Sequence, residues 1–264
     1  MSGNKVGVFD SGLGGLTVLR AFDELCPSAD LVYFGDTARV PYGTRENSEL
    51  RIFASQNVEL LKRHGANGVI AACGTVSSLL TSEEFSSFGI PFSGVVSAAA
   101  TAAAKRTVTG RIGVLGTAAT VRNRGFKKDI LAIRPDAEIS YMACTDFVPL
   151  AERGIFNADD PELSDAVDRY LKPLMENEPD VIILGCTHYP LLSDAIRRVT
   201  GSTCLIDVSR ETVKAFCRQN SVEGSGTREY YVSGDPEFFK RTAEKLLGHP
   251  IPIPNQERAD QTNG

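Results

Sequence analysis

The chain has 264 residues, is 42% apolar and carries a net charge of −5 at pH 7. This length gives one large or two small domains, and the apolar content excludes a disordered chain. The acid excess argues against a general nucleic-acid binder, no apolar run approaches the ~18 residues of a membrane span, and MSGNKVGVFD lacks the layout of a secretion signal, so a soluble cytoplasmic protein is expected.

Taken in chain order, strand-like runs occur at 6–9 (VGVF), 31–35 (LVYFG), 68–73 (GVIAAC), 111–116 (RIGVLG), 138–142 (EISYM), 181–186 (VIILGC), 204–207 (CLID) and 229–232 (EYYV). Helical patterns separate most of them. The clearest covers 45–64, where Leu50, Phe53, Ala54, Val58 and Leu61 fall near helical spacing, with Thr44 as the expected cap and Gly65 after the end. IPFSGVV (90–96) reads as a strand or connector, and SAAATAAAKR (97–106) as a helix. Beyond Gly248, HPIPIPNQERADQTNG has no period and is expected to be an irregular tail. Runs that are apolar on both faces point to an α/β fold with mainly parallel sheets covered by helices.

Two weak internal similarities refine this picture. GVFDSG (7–12) pairs with GVLGTA (113–118), and GVIAACGTVSSLL (68–80) with DVIILGCTHYPLL (180–192). A duplication would give two pseudo-symmetric three-layer α/β domains, 1–96 plus 208–264 and 97–207, with an active-site cleft between them. The cluster Arg122, Arg124, Lys127 and Lys128 reads as solvated helix charge.

None of the six cysteines forms a CxxC pair, so neither a zinc knot nor a disulfide framework is implied, and the thiols are expected to be reduced. Cys73 and Cys186 each end an apolar strand at the edge where an α/β sheet binds its ligand, and each precedes an expected helix whose N-terminus favours a thiolate. A cysteine hydrolase built on Cys186 and His188 has no use for Cys73. Racemisation or epimerisation needs an acid and a base on opposite faces of one carbon, and two thiols can supply them. Asp10 and Ser11 follow the first strand at the same sheet edge; Asp10 is a candidate to orient a proton near Cys73, or a cap for the next helix. GLGG lacks the full GxGxxG of a nucleotide loop, and Cys186 with His188 is too few ligands for a metal. Cys26, Cys204 and Cys217 read as packing residues, while Cys144 has no clear place.

The segments FDSGLGGLTVLR (9–20), YFGDTARVPYG (33–43), AACGTVSS (71–78), GTAATV (116–121), FVPLAERG (147–154) and GCTHYPLL (185–192) resemble those of the glutamate racemases, from Val6 to about Val232. The resemblance implies cofactor-independent interconversion of L- and D-glutamate, supply of the D-isomer to peptidoglycan, and a homodimer. It implies that Cys73 deprotonates the D-isomer and Cys186 the L-isomer, with Asp10 assisting Cys73, and His188 and Glu152 acting near Cys186. It also implies that Ser11, Pro41, Tyr42, Gly43, Gly74, Thr75, Thr117, Thr120 and Thr187 hold the substrate; for these polar loop residues, turn and cap roles are the alternative.

In the family ACNT is common where this chain has Ala72-Cys73-Gly74-Thr75, so a glycine replaces an asparagine and is expected to widen the pocket. Related racemases of aspartate or hydantoins share the architecture, as does a decarboxylase that keeps one cysteine. A hydrolase using Cys186 and His188 and a non-catalytic amino-acid binding module are the readings from other classes. Without an electron sink, carbanion stabilisation must come from hydrogen bonds in a dry cleft, so closure of the two halves is expected.

Overall fold

The computed structural model describes residues 4–260. Among the described residues ten strands form two parallel sheets. The first takes β1 (Lys5–Asp10), β2 (Leu31–Gly35), β3 (Ala66–Ala71) and β4 (Phe92–Gly94). The second takes β5 (Arg111–Gly116), β6 (Glu138–Ala143), β7 (Val181–Leu184) and β8 (Cys204–Asp207). The chain then returns to the first sheet with β9 (Arg228–Val232) and β10 (Asn255–Gln256). The strand orders are β10-β9-β2-β1-β3-β4 and β6-β5-β7-β8, with parallel pairing throughout. Parallel neighbours require crossovers, and helices supply them.

The first lobe carries α1 (Leu16–Leu25), α2 (Asn47–Arg63), α3 (Gly74–Leu79) and α4 (Ser82–Ser87). Next come α5 (Val95–Arg106), α6 (Ala118–Asn123), α7 (Lys127–Ile133), α8 (Phe147–Glu152), α9 (Pro161–Met175) and α10 (Ser193–Thr200). The returning segment holds α11 (Val208–Gln219) and α12 (Pro236–Leu247). The expected helix at 45–64 begins at Asn47 with Glu46 at its N-cap, because residues 42–44 take a separate 3-10 turn. The strand at 90–96 shrinks to three residues, since Val95 already belongs to α5.

Helices α5 and α11 join the lobes. Ala99, Ala100, Ala103 and Ala104 of α5 are buried, and such small side chains let α5 approach α7, α11, β7 and β8 closely. One apolar cluster runs from Val8 and Ile70 of the first sheet through α5 and α11 to Ile112 and Ile183 of the second. The lobes therefore share a core.

The stretch after Gly248 is not an irregular tail throughout. Asn255 and Gln256 pair with Tyr231 and Val232, Glu257 N donates to Val232 O, and Ala259 is buried in the first lobe's core. A two-residue strand has no period for a sequence to reveal. Among the described residues no helix is long and apolar enough to cross a membrane.

Candidate active site

Each cysteine lies just past the carboxyl end of its strand, because the chain must leave the sheet there. Cys73 is the N-cap of α3. Cys186 falls in a bend that leads into a 3-10 turn at Tyr189–Leu192 before α10 begins at Ser193. Only Cys73 thus has the α-helix expected directly behind it. The residues flanking the two cysteines meet: a Cβ built on Gly74 would lie 3.0 Å from the Gly185 carbonyl oxygen and 3.8 Å from Thr120 Oγ1. On the side where a side chain would project, Gly74 thus lies against backbone of the opposite lobe.

The first loop meets the same seam. A Cβ on Gly14 would fall 2.4 Å from Thr187 Oγ1 and 2.5 Å from His188 Nδ1, and one on Gly12 would fall 3.6 Å from Glu152 Oε1. Absence of a side chain at Gly14 is what lets the 11–15 loop reach the 186–188 bend. Asp10 is 2% exposed, and its Oδ2 accepts from the backbone N–H of Gly12 (3.1 Å) and Gly15 (3.0 Å). Asp10 therefore shapes the turn before α1, and it also puts a carboxyl into the cysteine-lined centre.

The two thiols have different surroundings. The Cys73 thiol, 5% exposed, points to Ser11 Oγ at 3.9 Å. Burial and then the Asp10 charge push it up to about 12, outweighing the N–H groups of Val76 and Thr75 and the Ser11 hydroxyl. The expected helix-favoured thiolate is thus absent at Cys73, because desolvation exceeds what one helix N-terminus supplies. Burial also raises the Asp10 carboxyl, against the charge of His188 and the backbone N–H groups. Cys186, 7% exposed, has His188 Nδ1 at 3.7 Å from its sulfur. Burial pulls the His188 imidazole down, but the Cys186 sulfur, the Glu152 carboxylate and the Asp10 charge outweigh it and leave His188 at about 10. Glu152 Oε1 stands 3.6 Å from His188 Nε2, a charge contact too long for a hydrogen bond, and that buried nitrogen has no hydrogen-bond partner among the described residues.

The remaining expected residues divide into two groups. Thr75, Thr120 and Thr187 are buried, with Thr120 and Thr187 on the seam. Thr117 caps α6 by accepting from Thr120 N (3.3 Å), and the two hydroxyls are 3.1 Å apart, so here the cap role is present. Pro41 is exposed and follows a cis peptide bond. Space is open beside Gly43. The Tyr42 hydroxyl is occupied, donating to Asp36 Oδ2 and accepting from Asn57 Nδ2 at 3.1 Å, which leaves backbone groups of this loop for a ligand.

Sequence reasoning missed the residues that hold these loops. Tyr33 OH donates to Gly12 O at 3.0 Å. Buried Asp36 takes Arg39 Nε at 2.6 Å and Ser233 Oγ at 2.9 Å. Thr17 Oγ1 lies 2.8 Å from Gly14 O, 2.9 Å from Thr187 O and 2.6 Å from Ser209 Oγ, tying α1 to the bend that carries Cys186. Thr17, Tyr33 and Asp36 all lie inside the quoted motifs, which was the available signal. Cys144 is packed beneath the site: it is fully buried, and its carbonyl accepts from Tyr189 OH at 3.0 Å.

A cavity of about 870 Å³ lies elsewhere between the lobes, against Ser78, Lys105, Arg124, Lys128, Lys214 and Arg218. It touches none of the expected site residues, so the chemistry and not the size of the hollow locates the site. Arg122, Arg124, Lys127 and Lys128 are exposed, as read from the sequence. Among the described residues no cluster of three or more His, Cys, Asp or Glu could hold a metal ion.

A family profile described as Asp/Glu/Hydantoin racemase matches residues 7–216. The glutamate racemase of Chlorobaculum tepidum is 42% identical over 260 residues, 95% of each chain. That of Thermoanaerobacter pseudethanolicus is 36% identical over 260 residues, 95% of this chain and 96% of the other. In three dimensions the chain is similar to the crystal structure of glutamate racemase from Francisella tularensis in complex with D-glutamate, with a TM-score of 0.87, 27% identity, and 98% and 99% of the two chains covered.

Proposed function

We propose, on the premise that this chain belongs to the Asp/Glu/hydantoin racemase family, that it interconverts L- and D-glutamate by proton transfer between Cys73 and Cys186. The reading needs no cofactor and directs the D-isomer to peptidoglycan synthesis. The observation that carries it is the contact of Gly74 with Gly185, which places the residue after one cysteine against the residue before the other. Their unequal surroundings support it further.

In the L-to-D direction, Cys186 beside the positively charged His188 acts as thiolate and takes the α-hydrogen, while Cys73, held as a thiol, gives a hydrogen to the other face. The reverse direction exchanges the roles, and Asp10 then helps Cys73 release its proton. With no electron sink on this route, the developing charge on the substrate carboxylate is met by hydroxyls of Ser11, Thr75, Thr117, Thr120 and Thr187 and by backbone N–H groups near Tyr42, Gly43 and Gly74. Glutamate is favoured over aspartate because the relatives above are named glutamate racemases, with Gly74 the residue whose effect on that choice an assay of both amino acids reads. We place the lobes at 1–96 plus 208–264 and 97–207, and propose a cytoplasmic homodimer, which light scattering of the purified chain tests.

The deciding experiment follows exchange of the α-hydrogen and optical rotation in deuterium oxide with no added cofactor. Cys73→Ser and Cys186→Ser should each lower racemisation by ~10³-fold or more. Racemisation that survives both changes rejects the two-thiol route. A trapped acyl-enzyme on Cys186, indifferent to Cys73, would establish the hydrolase instead.

A further inference from the structure

We infer that Cys26 and Cys217 form a second thiol pair, outside the site described above, which closes to an intramolecular disulfide when a small disulfide oxidant such as glutathione disulfide is present. Cys26 caps the C-terminus of α1, and Cys217 lies in the last turns of α11. Their sulfurs are 2.8 Å apart across 191 residues of sequence. A disulfide bond measures about 2.05 Å, so the two sulfurs have less than an ångström to travel.

The packing of the two helices fixes that approach. At the other end of the α1–α11 contact the hydroxyls of Thr17 and Ser209 are 2.6 Å apart, and Arg210 in the first turn of α11 pairs with Glu24 in the last turn of α1. Both cysteines are half-buried, so a small oxidant can reach them. No third metal-binding side chain joins them among the described residues.

Burial, and then the neighbouring Cys26 sulfur, push the Cys217 thiol up to about 12. Cys217 is therefore held as a thiol until its partner has reacted. The Cys26 thiolate displaces one glutathione thiolate and forms a mixed disulfide. Cys217, losing its proton, then attacks the Cys26 sulfur and releases the second glutathione. Two electrons and two protons pass from the protein to the oxidant, which leaves as two glutathione molecules. The bond would close a loop containing all of the second sheet, and long loops give the largest constraint on the unfolded chain.

The inference is independent of the racemase reading, because its test reads sulfur connectivity and not turnover. Purified full-length chain is incubated with glutathione disulfide, remaining thiols are alkylated, and peptides are mapped without reduction. A Cys26–Cys217 cross-link is expected, with a Tm roughly 5–10 °C above that of the reduced chain. Cys26→Ser or Cys217→Ala should remove both. Recovery of Cys26 and Cys217 as separate glutathione adducts or as alkylated thiols overturns the inference.

Discussion

At the residue scale the site is governed by which charges can be buried together. His188 is 6% exposed, and its pKa lies above the ordinary histidine value because the partners named above outweigh burial. The positive form is therefore favoured by folding: its contribution to stability is complete below the unfolded value near 6.5 and is lost as pH rises through about 10. Thermal melts of wild type and His188→Asn should differ most below pH 6.5 and converge toward pH 10. The kcat/KM profile should show an alkaline fall near 10 that His188→Asn removes, with a loss of about 10²-fold at neutral pH. Gly14 has a steric role in the same contact. Gly14→Ala puts a methyl group within 2.5 Å of both Thr187 Oγ1 and His188 Nδ1, and the overpacking should lower stability by about 1–3 kcal/mol and displace His188. Chemical denaturation measures the first effect and turnover the second.

At the element scale, loops that carry the site are fastened by side chains on other elements. The 36–44 loop hangs from Asp36, which gathers Arg39, Tyr42 and Ser233. Removing one partner by Tyr42→Phe should cost about 1–2 kcal/mol in denaturant titrations. Helix α11 starts where the chain leaves the second sheet, and Asp207 caps it by accepting from Ser209 N (2.8 Å) and Arg210 N (3.1 Å). Asp207→Ala should therefore lower stability by about 1 kcal/mol. The same helix brings Ser209 to Thr17, so a cap at the lobe crossing supports the seam as well as the helix. Helix α12 is stopped by Gly248, whose φ of 77° suits glycine, and this turn releases the chain toward β10.

At the scale of the whole molecule, two sheets share one apolar cluster through α5 and α11, while their loops meet over the cysteines. Both cysteines are nearly excluded from solvent, so the proposed reaction would need the loops to part for the substrate and to close again to keep water from the proton transfers. Thr17 bonds across this seam to the Thr187 carbonyl. Thr17→Val should speed amide hydrogen exchange over residues 185–192 and lower kcat/KM by about tenfold, whereas Thr17→Ser should stay near wild type. Unchanged exchange in Thr17→Val would leave the hydroxyl without a role in holding the seam.

The sequence alone determined the α/β class, eight of the strands and the location of Cys73 and Cys186 past the ends of apolar runs. These are local properties: periodicity, strand length and the change from apolar to polar residues are written within a few positions of each other. Tertiary structure alone decided that Gly74 meets Gly185, that Thr17, Tyr33 and Asp36 hold the loops, that residues 255–256 extend a sheet, and that Cys26 faces Cys217. Each of these joins elements distant in the chain, and no local pattern encodes them. The protonation of the Cys73 thiol was decided there too, because it depends on how much water and charge the fold leaves around its sulfur.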